Sequence, residues 1–489
     1  MIALLNPWST PSSKKPLPMS LLALASRLEG EFDYEIVDGN LVDDPVARLL
    51  DLDGLRRLTA IGVTVMPGPQ LPRALDLSRK LKVLLPGVPI VWGGYFPSQH
   101  AETCLRDPSV DVVVHGQGEL TFAELMRAIA GGGALSDIAG ISYKEGDTIR
   151  RTPRRPLTPL DELPDWPYAR VAMPRYLHAH YLGDRVGAHH SSFGCPFGCN
   201  FCAVVEMSRQ RWVAQSAARV AAILEAQQRA YGIDAVQFHD MDFFISEPRV
   251  AEFADRITGR GLAWWALGRV DELMRYRDDT WRRMRRSGLK MVFCGAESGS
   301  DAVLARMNKG GTVTAEKTLA LARRMREHGV VPEFSFVVGN PPDPVADVRA
   351  TTAFVRRLKA INPDAEIILY TYSPVPLDGA LYDTARAMGF RFPETLDEWT
   401  RGDWRHFALR RDPHTPWLHA GWRSAVRDFE SVLNAYYPTV TDPRLTPLRR
   451  ALLKALSGWR YRLRVYGWPV ELRAFHAVFG YQRPETTGF

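Results

Sequence analysis

Short apolar runs alternate with amphipathic helical segments along the first third of the chain. The apolar runs predict buried strands, and the segments with apolar positions three and four residues apart predict the helices between them. Strands are predicted over residues 2–5, 34–37, 60–65, 89–92 and 110–114, and helices over 20–28, 71–84 and 119–129. Because alternating strands and helices form a parallel sheet, residues 1–150 are expected to form a doubly wound, Rossmann-like domain.

The loops that follow these predicted strands are rich in glycine and proline. They include 66–69 (Met-Pro-Gly-Pro), 93–95 (Gly-Gly-Tyr) and 116–119 (Gly-Gln-Gly-Glu). Ligands of a doubly wound sheet bind at the carboxyl ends of its strands, and glycine lets the backbone approach a ligand closely. The loops therefore predict a ligand site at this edge of the sheet.

A second strand–helix series begins after a proline-rich stretch, residues 151–180, which reads as an extended linker. A hairpin with its turn at 145–147 precedes that stretch. Six strands are predicted at 188–193, 235–239, 263–267, 290–294, 333–338 and 366–372, with helices that include 217–231, 315–328 and 345–361. Six such units indicate a partial (β/α)6 barrel of the TIM type over 181–390, with its site at the carboxyl ends of the strands. Residues 391–489 are expected to form a mostly helical module.

Three of the five cysteines lie within eight positions, directly after the first predicted barrel strand. Cys195, Cys199 and Cys202 have the spacing C-x3-C-x2-C on a loop that also contains proline and glycine. Three thiolates can bind three irons of a 4Fe–4S cubane and leave the fourth iron open to a substrate. The alternative is a structural zinc site with His189 or His190 as fourth ligand, but zinc loops usually occur as pairs of two-residue knuckles, and no second knuckle is present. Cys104 and Cys294 are expected to be buried core residues.

The cysteine loop, with Phe201 before its last cysteine, resembles that of the radical S-adenosylmethionine superfamily. Its combination with an N-terminal α/β domain resembles the cobalamin-binding-domain branch, which holds methyltransferases and the anaerobic magnesium-protoporphyrin ester cyclase. The likeness runs from about residue 1 to residue 388. Further matching segments are 91–95, 116–119, 295–299 and 372–376.

The resemblance implies roles for four residues beyond the cysteines. Phe201 would lie against the adenine of S-adenosylmethionine, and Glu297 would make a polar contact to this cofactor. Asp240 and Asp242, at a strand end, would bind its amino group or ribose hydroxyls. The alternative for each acidic residue is that it caps a helix or binds loop backbone, as carboxylates at strand ends often do.

The resemblance also implies cobalamin in the N-terminal domain. Well-known cobalamin domains carry Asp-x-His-x-x-Gly, whose histidine ligates cobalt. The corresponding segment here is 38–43, in which Asn40 replaces the histidine, so cobalamin without a protein ligand below cobalt is expected. The alternative is a domain that has lost cobalamin and only covers the barrel. The residues expected to frame the corrin and its nucleotide tail are Thr64, Met66, Gly68, Gln70, Gly93, Gly94, Tyr95, Gly116, Gly118 and Glu119.

The formal charge of +7 and pI of about 9.1 do not by themselves indicate nucleic acid binding, because arginines crowd near the C-terminus. We expect a solvated basic face there, with the tryptophans and tyrosines packed inward; the alternative is a basic aromatic face on a membrane surface. No run approaches the roughly 20 apolar residues of a spanning helix, and no signal peptide is evident, so a cytoplasmic location is expected.

These features together predict a radical S-adenosylmethionine enzyme that methylates an unactivated carbon with the help of cobalamin. Its expected partners are a small-molecule or natural-product substrate and an electron donor such as flavodoxin or ferredoxin. The alternative enzyme is a radical cyclase, oxidase or rearrangement enzyme on the same scaffold. The alternative of another class is a non-catalytic cobalamin- or zinc-binding protein.

Overall fold

The computed structural model describes residues 1–309, 312–377, 379–404, 415–442 and 445–480, which form two seven-stranded sheets and a C-terminal group of helices. The first sheet has the order β2-β1-β3-β4-β5-β6-β7, in which β1 to β5 are parallel and β6 and β7 are an antiparallel hairpin at its edge. Its strands are β1 (Ile2–Asn6), β2 (Tyr34–Asp38), β3 (Ala60–Thr64), β4 (Ile90–Gly93), β5 (Val112–Val114), β6 (Ile141–Glu145) and β7 (Thr148–Arg151).

Six helices cover this first sheet. They are α1 (Met19–Leu28), α2 (Pro45–Arg56), α3 (Gln70–Leu84), α4 (Tyr95–Gln99), α5 (Ala101–Arg106) and α6 (Glu119–Gly131). The strand order reverses between β1 and β3, so that the loops after these strands diverge and open a crevice at the carboxyl edge. This crevice is where ligands of such sheets bind, and the glycine-rich loops of the sequence lie along the same edge.

The second sheet is the predicted partial barrel, with the order β16-β15-β14-β13-β12-β9-β8. Six of its strands are parallel, and β8 is added antiparallel at the edge. Its strands are β8 (His178–His180), β9 (Gly183–His189), β12 (Ala235–Phe238), β13 (Ala263–Arg269), β14 (Leu289–Glu297), β15 (Val331–Val338) and β16 (Glu366–Thr371). The helices around it are α7 (Val204–Ser208), α8 (Ala217–Tyr231), α9 (Glu247–Ile257), α10 (Val270–Arg275), α11 (Asp278–Arg286), α12 (Asp301–Arg306), α13 (Ala315–Glu327) and α14 (Pro344–Ile361).

The predicted first barrel strand, residues 188–193, is wrong. The strand β9 ends at His189, and the chain then leaves the sheet to form β10 (Ser192–Gly194), which pairs antiparallel with β11 (Trp212–Ala214). The chain leaves the sheet after His189 because the buried carboxylate of Asp240 accepts hydrogen bonds from the backbone and hydroxyl of Ser191. Ser191 therefore bonds to this carboxylate and does not continue strand β9. The cysteine loop therefore follows a small separate ribbon.

The proline-rich stretch between the sheets is packed and is not a free linker. It contains three single-turn 3-10 helices, and its residues Tyr168, Met173 and Tyr176 are buried in one cluster with Leu22 of α1 and Ile223 of α8. This segment therefore connects the two sheets and makes apolar contacts with helices of both.

The remaining helices follow the barrel. They are α15 (Ala380–Ala387), α16 (Leu396–Trp399), α17 (Ala420–Tyr436), α18 (Pro447–Leu463) and α19 (Val470–Phe479). Tyr436 of α17 stacks on Tyr461 of α18 with ring centroids 4.4 Å apart. The predicted fold class is thus confirmed: a doubly wound sheet, a partial barrel and a helical C-terminal part. Among the described residues, no helix is long and apolar enough to cross a bilayer.

Candidate functional site

The segment before the three cysteines is fixed by hydrogen bonds to a distant part of the barrel. Asp240 accepts from the Ser191 backbone (3.0 Å) and from the hydroxyls of Ser191 (2.7 Å) and Ser192 (2.5 Å). Gly194 has a φ of +85°, and a Cβ there would overlap the carbonyl of Arg211. The turn into Cys195 therefore requires glycine.

The middle of the loop is tied to the end of α12. The Asn200 backbone N–H donates to the carbonyl of Met307 (3.2 Å), and its side chain donates to the carbonyl of Arg306 (2.7 Å). In return, Asn308 Nδ2 donates to the carbonyl of Gly198 (2.8 Å). These bonds hold the backbone around Cys199 without using any cysteine sulfur.

The three thiols lie close enough to influence each other's charge. Burial, together with the neighbouring charges of Asp242, Cys202 and Cys199, raises the pKa of Cys195 to about 12. In the described part of the chain, no three His, Cys, Asp or Glu side chains surround a point that a single metal ion could occupy. A cubane binds each thiolate through a different iron and so needs wider spacing than one zinc ion. Three thiolates on this one loop can each bind a different iron of such a cluster.

Arg269, at the end of β13, lies directly on Cys199. Its Nη1 donates to Cys199 Sγ at 3.3 Å, and its guanidinium carbon lies 3.7 Å from the ring centroid of Phe197. Two further nitrogens bind the carboxylate of Asp271, whose pKa this arginine lowers despite burial. A buried cation at a thiolate favours the negative charge of a bound iron–sulfur cluster.

A second buried cation, Lys309, pairs with Glu297 at the end of β14. Lys309 Nζ donates to Glu297 Oε1 at 2.6 Å, and both side chains are over nine-tenths buried. Burial opposes the charge of Lys309, but Glu297 and Cys199 outweigh it and raise its pKa. Glu297 has a φ of +63°, and a Cβ at Gly295 would overlap this ion pair. The positive φ of Glu297 and the missing side chain at Gly295 both allow the ion pair to lie at the end of β14.

The two acidic residues after β12 differ in what they bind. Both oxygens of Asp240 are taken by the serines before the cysteine loop. Asp242 Oδ1 accepts from the Phe244 backbone (3.1 Å), whereas Oδ2 is buried and has no partner among the described residues. Burial raises the pKa of Asp242 to about 7. An unpaired buried oxygen next to the cysteines suits the ammonium group of S-adenosylmethionine.

The barrel residues expected at the site are therefore brought together, and two unexpected ones join them. Phe201 is buried, with its ring centroid 5.7 Å from Lys309 Nζ, and the charges of Lys309 and Arg269 both act on Asp242. Arg269 and Lys309 are not among the residues that the sequence predicts for this site. The signal for Arg269 was its place at the end of a barrel strand, where catalytic residues of this fold lie; no signal marked Lys309.

In the N-terminal domain, Asn40 is used within its own loop. Its Oδ1 accepts from the backbone and hydroxyl of Ser9, and its Nδ2 donates to Asp38 Oδ1. Gln70 is similarly engaged: it accepts from the Met66 backbone (2.7 Å) and donates to Asn6 (2.8 Å). These contacts shape the loops after β1 and β3 and leave neither amide free to ligate a metal.

The expected corrin-framing residues line the crevice to different extents. Thr64 shares a 3.0 Å hydroxyl contact with Ser20, and the Met66 side chain is 47% exposed at the crevice. Gly68 and Gly94 have φ of +90° and +101°. A Cβ at Gly94 would lie 3.3 Å from the carbonyl of Val65, whereas one at Gly93 would meet nothing closer than 3.8 Å. The edge offers open backbone and an exposed apolar side chain, which fits a broad planar ligand.

The remaining loops of this edge face the cysteine loop. A Cβ at Gly116 would lie 2.9 Å from the carbonyl of Met207 in α7, and one at Gly118 would lie 3.2 Å from Leu24. Tyr95 packs against a small cluster that contains Ala203, the residue after Cys202. Burial raises the pKa of Glu119, which begins α6. The ligand edge of the first sheet therefore abuts the segment that follows the three cysteines.

Comparison with known proteins gives two family matches. Residues 14–126 match the B12 binding domain family, and residues 190–355 match the radical SAM superfamily. The second match contains the three cysteines, and the first contains most of the crevice loops. The matches confirm the predicted cofactors: a 4Fe–4S cluster, S-adenosylmethionine and cobalamin.

Individual relatives agree with these matches. The chain is 30% identical to an uncharacterized methyltransferase of Pyrococcus horikoshii over 345 residues, which cover 70% of this chain and 73% of that protein. It is 25% identical to the anaerobic magnesium-protoporphyrin IX monomethyl ester cyclase of Synechocystis over 357 residues, or 72% and 68% of the two chains.

The fold is also that of a solved structure. The radical S-adenosylmethionine methyltransferase TsrM from Kitasatospora setae, solved with cobalamin and a [4Fe–4S] cluster, superimposes with a TM-score of 0.70 at 18% identity and covers 98% of both chains. The chain therefore belongs to the radical S-adenosylmethionine superfamily, in the branch whose members carry an N-terminal B12 binding domain.

Proposed function

We propose that this protein methylates an unactivated carbon of a small molecule or natural product, with S-adenosylmethionine as methyl source and cobalamin as carrier. The observation that supports this most is the contact between the two sites: Gly116 lies against α7, and Tyr95 packs against the cluster that contains Ala203. A domain that only covered the barrel would need no ligand edge at this contact. When bound, the cluster supplies the electron that cleaves S-adenosylmethionine, and cobalamin carries the methyl group.

Each residue of the barrel site has a role in the proposed reaction. Cys195, Cys199 and Cys202 hold the cluster, and Arg269 and Lys309 offset its negative charge. The free oxygen of Asp242 receives the ammonium group of S-adenosylmethionine, and Phe201 packs on its adenine. Glu297, held in place by Lys309, offers its second oxygen to the same cofactor. Asp240 is a positioning residue, because both its oxygens hold the segment before the cysteines.

The N-terminal domain is assigned the cobalamin site. The loops after β3 and β4 frame the corrin through Thr64, Met66, Gly68 and the glycines at 93 and 94. Gln70 acts indirectly, since it joins the loop after β3 to the loop after β1. Asn40 would not ligate cobalt from below, because its amide is already engaged by Ser9 and Asp38. The electron comes from flavodoxin or ferredoxin in the cytoplasm, and nucleic acid is not a substrate.

Product analysis tests the proposal. Anaerobically reconstituted protein, supplied with cobalamin and a strong reductant, should convert S-adenosylmethionine to both S-adenosylhomocysteine and 5′-deoxyadenosine, as measured by mass spectrometry. A cyclase or oxidase on the same scaffold would release 5′-deoxyadenosine alone, which would contradict the methylation proposal. If protein with a reducible cluster and bound cobalamin formed neither product, that result would contradict both the methylation proposal and the cyclase or oxidase alternative.

Iron and sulfide analysis separates these enzymes from a zinc-binding protein. Replacement of Cys195, Cys199 and Cys202 by alanine should abolish cluster assembly. The matched control replaces Cys104 and Cys294, which are both fully buried in other elements, and should keep full iron and sulfide. If the parent protein instead contained zinc and no sulfide, this result would favour the non-catalytic alternative.

A further inference from the structure

The outer face of α18 is apolar although it points away from the protein. Leu448 is 79% exposed, Leu452 45%, Trp459 50% and Leu463 70%. Their spacings of four, seven and four residues place them in one stripe along the helix. The opposite face carries the buried residues Leu453, Ser457 and Tyr461. The helix thus has two apolar faces, and the described residues cover only the inner one. The expectation that the C-terminal aromatic residues pack inward is wrong for Trp459.

The neighbouring helix continues this surface. Val470 is 60% and Val478 75% exposed, and the guanidinium of Arg449 lies 4.9 Å from the ring of Phe479, so the start of α18 adjoins the end of α19. Between the helices, Trp468 is 78% exposed. We call these eight residues the apolar outer face: Leu448, Leu452, Trp459, Leu463, Trp468, Val470, Val478 and Phe479.

Trp468 is held outward by its backbone. Its φ of +52° is unusual for a bulky residue, and its N–H donates to Asp428 Oδ2 at 3.0 Å. Asp428 is buried and also binds Arg473 at 2.6 Å. The turn is therefore anchored in the protein while the indole projects from it. The exposed indole extends the apolar surface of the two helices.

The charge around this face is strongly positive. Residues 445–480 contain seven Lys and Arg residues and one acidic residue, so nearly the whole net charge of the protein lies here. Arg460 is buried and binds the acidic residue, Glu471. Arg462 and Arg464 are exposed on either side of Leu463, and neither has an ion-pair partner in the described part of the chain. An apolar stripe with tryptophans and a cationic border is the composition of interfacial helices.

We propose that α18 and α19 form a peripheral membrane-binding face for anionic bilayers, with the apolar outer face in the headgroup region and Arg462 and Arg464 on lipid phosphates. A second copy of the chain is the less suitable occupant, because two such faces would bring their unpaired arginines together. Anionic lipid satisfies both the charge and the exposed apolar side chains. This proposal does not depend on the reaction, and its test needs no substrate.

Vesicle cosedimentation of the full-length, cluster-loaded protein tests the proposal. We expect binding to equimolar phosphatidylglycerol and phosphatidylcholine vesicles, weak binding to phosphatidylcholine alone, and loss of binding at high salt. Replacing Arg462 and Arg464 by glutamine should weaken binding about thirtyfold, at about fivefold per arginine. The matched control, Arg286→Gln with Arg323→Gln, removes two exposed arginines of α11 and α13 and should leave binding unchanged.

A second variant tests the apolar part. Trp459→Ser with Leu463→Ser should lower vesicle affinity by at least tenfold, as expected from the buried area of these side chains, while iron content stays at the parent value. Quenching of tryptophan fluorescence by brominated lipids should fall in this variant. Equal binding by parent and both surface variants would overturn the proposal. So would a dimer in sedimentation velocity that the Trp459 and Leu463 changes dissociate, since a second copy would then cover the face.

Discussion

The guanidinium of Arg269 donates a hydrogen bond to the sulfur of Cys199, with 3.3 Å between Nη1 and Sγ. The same guanidinium is held by both oxygens of Asp271 and by the stacked ring of Phe197. Its position is therefore set independently of the cysteine. A hydrogen bond and a positive charge at a cluster sulfur stabilise the reduced, more negative cluster and raise its reduction potential.

Loss of this contact should make the cluster harder to reduce. For Arg269→Gln we expect the reduction potential to fall by on the order of 50 mV, since a differential hydrogen-bond energy of about 1 kcal/mol corresponds to that shift in a one-electron couple. Electron paramagnetic resonance during a redox titration measures it. Arg275→Gln, at an exposed arginine paired with Glu272, is the control. An unchanged potential in Arg269→Gln at full iron content would contradict this role.

The two aspartates after β12 should have separable functions. Asp242→Asn removes the charge of the free oxygen and should weaken S-adenosylmethionine binding about tenfold or more, because a hydrogen bond to a charged group is lost. Asp240→Asn should lower the iron content instead, because the amide keeps only one of the two acceptor oxygens that hold the serines before the cysteine loop. Equilibrium binding normalised to iron distinguishes the two effects. A selective loss of affinity in Asp240→Asn would reverse the assignment.

The strands were predictable because most are continuous apolar runs: β1 is buried at all five positions. The helix α2 was not predicted, since only Leu49 and Leu52 of its twelve residues are buried, although Asp44 and Pro45 provide a cap and a first-turn proline. Residues 188–193 were mispredicted because the carboxylate that interrupts the strand belongs to Asp240, about 50 positions further on. Local patterns do not contain such contacts.

In the candidate site too, residues marked by a local sequence pattern were predictable, and residues placed by distant contacts were not. The cysteines were recognisable because cluster chemistry needs several thiolates on one loop. Arg269 and Lys309 lie about 70 and 110 positions beyond Cys199 and reach it only through the barrel. Asp240 and Asp242 looked equivalent in sequence, and only their hydrogen bonds distinguish them. Whether Trp459 packs inward or outward depended on which face of α18 meets α17, which helical spacing alone does not fix.

Asn40 should have no influence on cobalt. Its oxygen accepts two bonds from Ser9, so replacement by alanine should loosen the loop after β1 without changing the metal's coordination. We expect the cob(II)alamin resonance spectra of the parent and of Asn40→Ala to agree, both without nitrogen superhyperfine splitting. Splitting from an axial nitrogen in the parent protein would refute the assignment, as would its loss in the variant.

The adjacent glycines at the end of β4 should respond differently to alanine. Gly94 has a φ of +101°, and a Cβ there would lie 3.3 Å from the Val65 carbonyl, so Gly94→Ala should distort the loop and abolish cobalamin binding. At Gly93 a Cβ meets Val114 at an ordinary 3.8 Å, so Gly93→Ala should fold normally. Cobalt and iron contents measured on the same samples give the result: Gly94→Ala should lose cobalt and keep iron. Equal cobalt in both variants would exclude this loop from the corrin site.

His189 should make the protein sensitive to mild acid. It is buried at the end of β9, where Tyr168 and Gln215 bind its two ring nitrogens at 2.8 Å. Burial lowers its pKa to about 4; the Gln215 bond and Asp240 oppose this shift, and His190 and Arg249 add to it. In the unfolded chain the pKa is about 6.5, so below pH 6.5 the unfolded state binds a proton that the folded state does not. The contribution of His189 to stability is therefore complete above pH 6.5 and falls as the pH drops towards 4, by about 1 kcal/mol at pH 5.5 from this residue alone.

His189→Gln should be less stable at pH 7, since one buried hydrogen bond is altered, but its melting temperature should fall by about 2 °C less between pH 7 and pH 5.5 than that of the parent. Differential scanning calorimetry of the cluster-loaded proteins measures both quantities, and parallel pH profiles would show that His189 does not titrate in this range.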